Sequence, residues 1–322
     1  MESALLRKEA LVQWVNKIIG ESVELLPLPH DASFRRYFRL RTAKGSYLVM
    51  DAPPSLENTQ PFIAISAALR EQGLLAPDVI AINREQGFLL ITDFGNTTYL
   101  NALDAANADE LYQRALRALA DMQSIRTVPN HTLPLFTAEF MQKEWLWHKE
   151  WFSEKWLHLP PLSTNLDGCY QLLVTSAVNQ PQVFMHRDYH AGNLMLLTDD
   201  VGILDFQDAF IGPVTYDLAS LLRDCYIAWP KEQVERWVED YRLMLQAKDL
   251  LQEVASETFL RWFDFMSLQR HLKALMTFAR KKVRDQQPQY LQHIPRTIEY
   301  IKTVSAKYPE LEALQEYAEI ID

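Results

Sequence analysis

Cysteine is scarce in this 322-residue chain: Cys169 and Cys225 stand alone, with no C-x-x-C and no Cys/His cluster. That excludes a disulfide framework, gives no basis for a zinc site and fits a reducing, cytoplasmic setting. Basic charge is in deficit too. With 32 Lys and Arg against 42 Asp and Glu the formal net charge is −10, which argues against non-specific binding to nucleic acid or an anionic membrane and favours small-molecule partners. No apolar run approaches the length of a membrane helix. Near the N-terminus Glu2, Arg7, Lys8 and Glu9 interrupt any leader-like stretch, whereas Leu11, Trp14, Val15, Ile18 and Ile19 keep the spacing of an amphipathic helix. Internal repeats, low-complexity segments and Pro/Gly-rich linkers are absent as well. Apolar residues are plentiful: 48% hydrophobic content supports a substantial core without staples. A monomer or weak dimer is the expected state.

From Tyr37 to Asp51, YFRLRTAKGSYLVMD gives two apolar-rich runs around Ala-Lys-Gly-Ser, which predicts a hairpin. ENTQPFIAISAALREQG then predicts a helix with Thr59 as N-cap, Pro61 in the first turn, Phe62, Ile65 and Leu69 on one face, and Gly73 as the stop. DVIAINREQGFLLITDFG reads as a second hairpin. Beyond Gly95 helical patterns dominate, apart from the apolar strand Val183-Phe184-Met185 and a hairpin in which LMLL and GILDF flank Thr198–Val201. The expected organisation is therefore α+β: a small sheet-rich lobe over residues 1–95, a short hinge after Ile91, and a mainly helical lobe over residues 96–322.

The stretch HRDYHAGNL, His186 to Leu194, carries the chemistry. Phosphoryl transfer asks little covalent help of a protein; it needs a group to take the hydroxyl proton and hard oxygen ligands that hold a metal against the phosphates. The D-x4-N spacing lets one loop present Asp188 to an acceptor hydroxyl and Asn193 to a metal, and the following hairpin returns Asp205 as a second metal ligand. These residues could also be ordinary turn formers. By residue frequency, H-R-D-x4-N arises by chance roughly once in several hundred chains of this size, and Asp205 after a strand-turn-strand reduces that risk. Asp-Phe-Gly itself occurs once, at Asp93–Gly95, at the end of the second hairpin, where an adenine-contacting hinge belongs, and is read as a decoy for the metal site.

HRDYHAGNLM and GILDFQDAFIGPVTYDLASLL resemble the aminoglycoside phosphotransferase and choline kinase superfamily, a branch of the protein-kinase-like fold, and the resemblance covers nearly the whole chain. DASFRRYFRL, VMDAPP, SLQRHLKALMTFAR, VRD and YLQHIPR look like the branch of bacterial anomeric kinases that phosphorylate N-acetylmuramate and N-acetylglucosamine at C1 in peptidoglycan recycling. The resemblance implies a two-lobed fold, ATP with Mg²⁺, and an amino-sugar acceptor. Kinases of another small acceptor, such as an aminoglycoside or a choline-like amine, and a nucleotide-binding pseudokinase are the alternatives.

The sequence departs from the superfamily in three places. Met50 and Phe62 stand near where a strand lysine and a helix glutamate are usual, so Arg35, Arg36 or Lys44 would have to supply positive charge. There is no G-x-G-x-x-G, which leaves Ser33 and neighbouring backbone N–H groups to cover the phosphates. Ser33, Arg35, Arg36, Thr92 and Asp93 are accordingly the expected nucleotide contacts. For the acceptor, Gln269, Arg270 and Lys273 fall on adjoining positions of one helix, either as a substrate face or as a solvated one. Asp208, Arg223 and Asp224 are weaker acceptor candidates, and Asp217 is expected to brace the catalytic loop. Trp145, Trp147, Trp151 and Trp156 are read as packing residues before sugar-stacking ones.

Overall fold

The computed structural model describes residues 2–29 and 34–322. The chain divides into two compact units, one of Met1–Thr97, Thr127–Thr132 and Met195–Asp208, the other of Thr98–Arg126, Leu133–Leu194 and Ala209–Asp322. The hairpin that carries Asp205 thus packs with the first unit.

The first unit begins with α1 (Glu2–Ile19), β1 (Leu25–Pro27), β2 (Arg36–Thr42), β3 (Gly45–Asp51), α2 (Gln60–Glu71), β4 (Val79–Asn83) and β5 (Phe88–Thr92). Its antiparallel sheet has the order β1-β2-β3-β5-β4. Both expected hairpins are there, with Thr42 opposite Gly45 in the first, and Gly45 at φ +139° takes a backbone conformation that side-chain-bearing residues avoid. Alternation sorts the strand residues between two faces. Leu25, Phe38, Leu40, Val49, Phe88 and Leu90 pack under Leu11 and Val15 of α1. Met50, Leu89 and Ile91 are buried on the other face. Helix α2 starts and stops where its signals fall, with Thr59 at the N-cap and Gly73 left-handed at φ +83°. The capping oxygen, however, is that of Asn58, which accepts from Gln60 N at 2.9 Å, while the Thr59 side chain makes no cap bond.

The second unit holds α3 (Tyr99–Ala102), α4 (Ala108–Gln123), α5 (Ala138–His148) continuing into a π-helical stretch Lys149–Trp156, α6 (Thr164–Val178) and β6 (Gln182–Met185). After β7 (Leu194–Leu196) and β8 (Val201–Ile203), which pair as the expected hairpin, come β9 (Phe210–Pro213), α7 (Tyr216–Leu222), α8 (Lys231–Ala247), α9 (Ser256–Val283), α10 (Ile294–Ser305) and α11 (Glu312–Ile320). Strand β6 pairs antiparallel with β9. The 28-residue α9 buries half of its residues, including the polar Asp264, Ser267, Gln269 and His271; such a helix is a central post of the core. Trp145 is buried and stacks on His148 and Tyr170, as packing predicted. Among the described residues no helix is long and apolar enough to cross a membrane.

Candidate active site

Strand β6 ends at Met185, and the chain turns into the His186–Asn193 loop under the hold of two buried carboxylates. Asp217 accepts His186 N at 2.6 Å and Arg187 N at 2.9 Å, which is the bracing role expected of it. Asp224 accepts Ala191 N at 3.1 Å and Tyr226 N at 2.8 Å. Burial pushes the Asp224 carboxyl up to about 7, against the pull of those two N–H groups and of Arg270 and Arg296. Arg187 sits at φ +79°, an unusual conformation for a side-chain-bearing residue, with its guanidinium over the rings of Phe210 and Phe140. The fully buried Tyr189 ties the loop to α4 by donating its hydroxyl to Ala115 O at 2.8 Å. Asn193 donates its amide nitrogen to Asp188 O at 3.0 Å, which fixes the amide plane and gives nitrogen and oxygen separate duties.

Asp188 is ringed by positive charge. Lys273 Nζ lies 3.6 Å from its Oδ1 and 3.4 Å from the Tyr216 hydroxyl. Arg270 donates to Arg187 O at 2.7 Å while lying over the Tyr216 ring. Burial opposes the charge on Asp188, but Lys273, then Arg270, His190 and Arg187, outweigh it and hold the carboxyl well below the usual carboxylate range. Its side chain is still 40% exposed, against 17% for Lys273, so the charged group remains accessible from outside. His190 is pushed down to about 4, mainly by burial with Arg270 adding to it, so the imidazole beside Asp188 is neutral at pH 7.

The α9 face departs from both sequence readings, because it is neither solvated nor wholly turned to a substrate. Gln269 is 1% exposed and donates to Glu144 at 2.7 Å. Arg223 is committed to Asp264 and to Ser267 at 2.6 Å, over the Phe263 ring. Arg270 and Lys273 do adjoin the loop, but with their charges directed at Asp188, Tyr216 and the Arg187 carbonyl.

The first unit carries the other singled-out residues. Asp205 is exposed and sits at φ +60°, a conformation costly for a residue with a side chain and concentrated at functional sites; its Oδ1 accepts from Gln207 Nε2 at 2.7 Å. Asp208, three residues on, is exposed. Next to Asp205, the fully buried Phe206 packs its ring 5.0 Å from that of Phe62, and Met50 is fully buried; apolar packing occupies the positions where a lysine–glutamate pair was looked for. Asp93 is engaged by Arg39 in a two-point bond (2.7 and 3.0 Å), by the Ser46 hydroxyl and by Gly95 N, and its side chain is 3% exposed. Thr92 Oγ1 accepts from Asp78 N at 3.2 Å. Arg36 shares the buried Asp51 with Arg7. Arg35 pairs with Glu57 at 3.1 Å. Ser33 lies outside the described residues. Arg39, Glu57 and Tyr37 were missed in the sequence; a charged residue inside an apolar strand, as Arg39 is, was the available signal, since such a side chain needs a partner.

A family model described as phosphotransferase enzyme family matches residues 24–255. The N-acetylmuramate/N-acetylglucosamine kinase of Pseudomonas putida is 42% identical over 289 residues, 89% of this chain and 85% of that protein. The same-named kinase of Neisseria meningitidis serogroup B is 35% identical over 324 residues, 98% of this chain and 96% of that one. Among solved structures, a choline/ethanolamine kinase family protein from Mesorhizobium loti aligns with a TM-score of 0.64 at 13% identity, covering 99% of this chain and 100% of that one. The ADP-bound aminoglycoside phosphotransferase APH(2'')-Ib aligns with a TM-score of 0.61 at 17% identity, covering 97% and 98%. The fold is the protein-kinase-like one, with a small antiparallel sheet and a mainly helical part, and the chain belongs to the phosphotransferase enzyme family.

Proposed function

We propose that this protein is an ATP-dependent amino-sugar kinase that phosphorylates the anomeric hydroxyl of N-acetylmuramate or N-acetylglucosamine. The observation that carries the chemistry is Asp188, an accessible carboxylate kept ionised by Lys273 and Arg270 at the head of a D-x4-N loop. The relatives' shared name, over nearly their full lengths, supports the acceptor. In the reaction the sugar O1 attacks the γ-phosphorus, the bond to the β-γ bridging oxygen breaks, ADP leaves, and Asp188 orients and takes the hydroxyl proton. Its low proton affinity suits a base needed only as the hydroxyl becomes acidic late in transfer.

Asn193 and Asp205 are the residues that would hold Mg²⁺. Both offer hard oxygen atoms, and the Asn193 nitrogen is already spent on its own loop. No group of three or more His, Cys, Asp or Glu side chains suited to holding a metal occurs among the described residues, and Mg²⁺ bound by one or two side chains together with phosphates and water needs none. When bound there, Mg²⁺ neutralises charge on the transferred phosphoryl group.

The test is transfer from ATP to N-acetylglucosamine and N-acetylmuramate, followed by ³¹P NMR and a reducing-end assay. Phosphorylation at C1 removes the reducing end and yields an acid-labile phosphate. A product that keeps its reducing end would move the reaction to another hydroxyl, and ATP binding without transfer to either sugar would defeat the proposal.

A further inference from the structure

The residue that precedes Asp188 and sets its direction is held in place from two sides. Arg187, at φ +79°, occupies a region that a residue with a side chain keeps only where its surroundings over-determine it. Those surroundings come from two helices of the second unit. On the amide side, Asp217 of α7 accepts from His186 N and Arg187 N. On the carbonyl side, Arg270 of α9 donates to Arg187 O at 2.7 Å. Both peptide groups that flank Arg187 are therefore tied to charged side chains before the chain reaches Asp188.

One turn further along α9, Lys273 meets the Asp188 side chain itself. Residues three apart on a helix share a face, so Arg270 and Lys273 project together. Lys273 Nζ stands 3.6 Å from Asp188 Oδ1, an ion-pair distance, and 3.4 Å from the Tyr216 hydroxyl. Arg270 lies over the ring of the same tyrosine, 4.5 Å from its centroid. Tyr216 is fully buried at the start of α7 and packs edge-on against Phe136 at 5.1 Å, so both cations rest on one packed ring. Of the ion pair, the lysine is the less accessible member, 17% exposed against 40% for Asp188. A sugar arriving from solvent meets the carboxylate before the ammonium.

We propose that Lys273 is a positioning residue for phosphoryl transfer: it acts on the reaction through Asp188, holding the carboxylate that takes the hydroxyl proton, and it does not read the sugar. Arg270 and Tyr216 complete the device, one fixing the peptide that carries Asp188 and the other seating both cations. The proposal rests on the kinase reading above and deepens it. Such a contact matters because a misplacement of about 1 Å at a reacting group costs about a hundredfold in rate.

The experiment compares N-acetylglucosamine, which is neutral, with N-acetylmuramate, which adds a carboxylate. It measures kcat and the Michaelis constants in wild type, Lys273→Met, Lys273→Gln and Lys273→Arg, each alone and combined with Asp188→Asn. Lys273→Met should lower kcat by about 10- to 100-fold and by the same factor for both sugars, with KM for ATP and for each sugar within about threefold of wild type. Lys273→Gln, which can still donate to the carboxylate, should lose less, and Lys273→Arg should lose least; these two carry the test if the methionine variant does not fold. Removing a cation makes the neighbouring carboxylate a stronger base, so a fall in kcat reports lost position and not lost basicity. Added to Asp188→Asn, each substitution should change kcat by less than about threefold, since a residue that acts through Asp188 has nothing left to hold. The assignment of Lys273 fails, and the kinase reading stands, if kcat in Lys273→Met or Lys273→Gln stays within about twofold of an active wild type. It fails equally if the effect is a rise in KM confined to N-acetylmuramate, or if the losses multiply in the double variants. A wild type that transfers to neither sugar would overturn both.

Discussion

Asp-Phe occurs at the end of two hairpins, at Asp93-Phe94 and at Asp205-Phe206, and both lie in the same compact unit. Their surroundings separate them. Asp93 is nearly sealed, with both oxygens bound by Arg39 and further donors from Ser46 and Gly95. Asp205 is exposed and carries left-handed backbone strain. Phe94 faces Gly202, where an added Cβ would come within 2.8 Å of its ring, whereas Phe206 is fully buried against Phe62. The same dipeptide thus serves as a structural clasp in one place and as a candidate metal ligand in the other. What distinguishes them is burial: a carboxylate sealed against a buried arginine holds the fold, and one exposed on a strained turn can do chemistry.

The sharpest way to break that comparison is Asp205→Asn, which should abolish turnover, as should Asn193→Ala, because the phosphate charge is left uncompensated. Unchanged nucleotide turnover in both variants would end the metal assignment. Asp188→Asn keeps the loop's shape and should lower kcat by about 10²–10⁴, with nucleotide affinity little altered; transfer at the wild-type rate would place the base elsewhere.

Asp93→Asn should show the opposite profile. Its kcat should stay within about tenfold of wild type while stability drops by about 3–5 kcal/mol, since Arg39 would be left buried beside a neutral group. Burial raises the Asp93 pKa, but the bonds from Arg39, Ser46 and Gly95 outweigh it and the pKa is lowered. A carboxyl with a lowered folded pKa contributes stability above its unfolded pKa, about 3.9, and loses it as pH falls through the folded value. The melting-temperature gap between wild type and Asp93→Asn should therefore narrow below about pH 4. If Asp93→Asn is as inactive as Asp205→Asn, the two motifs share a role and the comparison collapses. The smallest effect is expected for Gly202→Ala, which pushes on the Phe94 ring and on Met195 and should cost about 1–3 kcal/mol with kcat retained.

Much of this was open to reading along the chain because the signals are local. The D-x4-N loop, the hairpins on either side of it, the helix start at Thr59 and its end at Gly73 all depend on residues a few positions apart. The bracing role of Asp217 was legible for a related reason, since a carboxylate just after the loop's hairpin can return to the loop's N–H groups. The partners of Gln269 and Arg223 were not legible, because α9 carries polar residues all along its length and helical spacing alone does not say which of them face Glu144, Arg223 or the His186–Asn193 loop.

The sequence by itself determined the reaction class, through the motifs that place the chain in the phosphotransferase enzyme family, and the division into a sheet-rich part and a helical part, through hydrophobic period. Only the tertiary structure decided which charges hold the fold and which are available for chemistry. Arg39 meets Asp93 across 54 residues, Arg35 meets Glu57 across 22, and Lys273 of α9 comes within 3.6 Å of Asp188. Such pairings follow from how the strands and helices pack, because an ion pair is selected by distance in space and by the water it excludes, and neither quantity is written in local order.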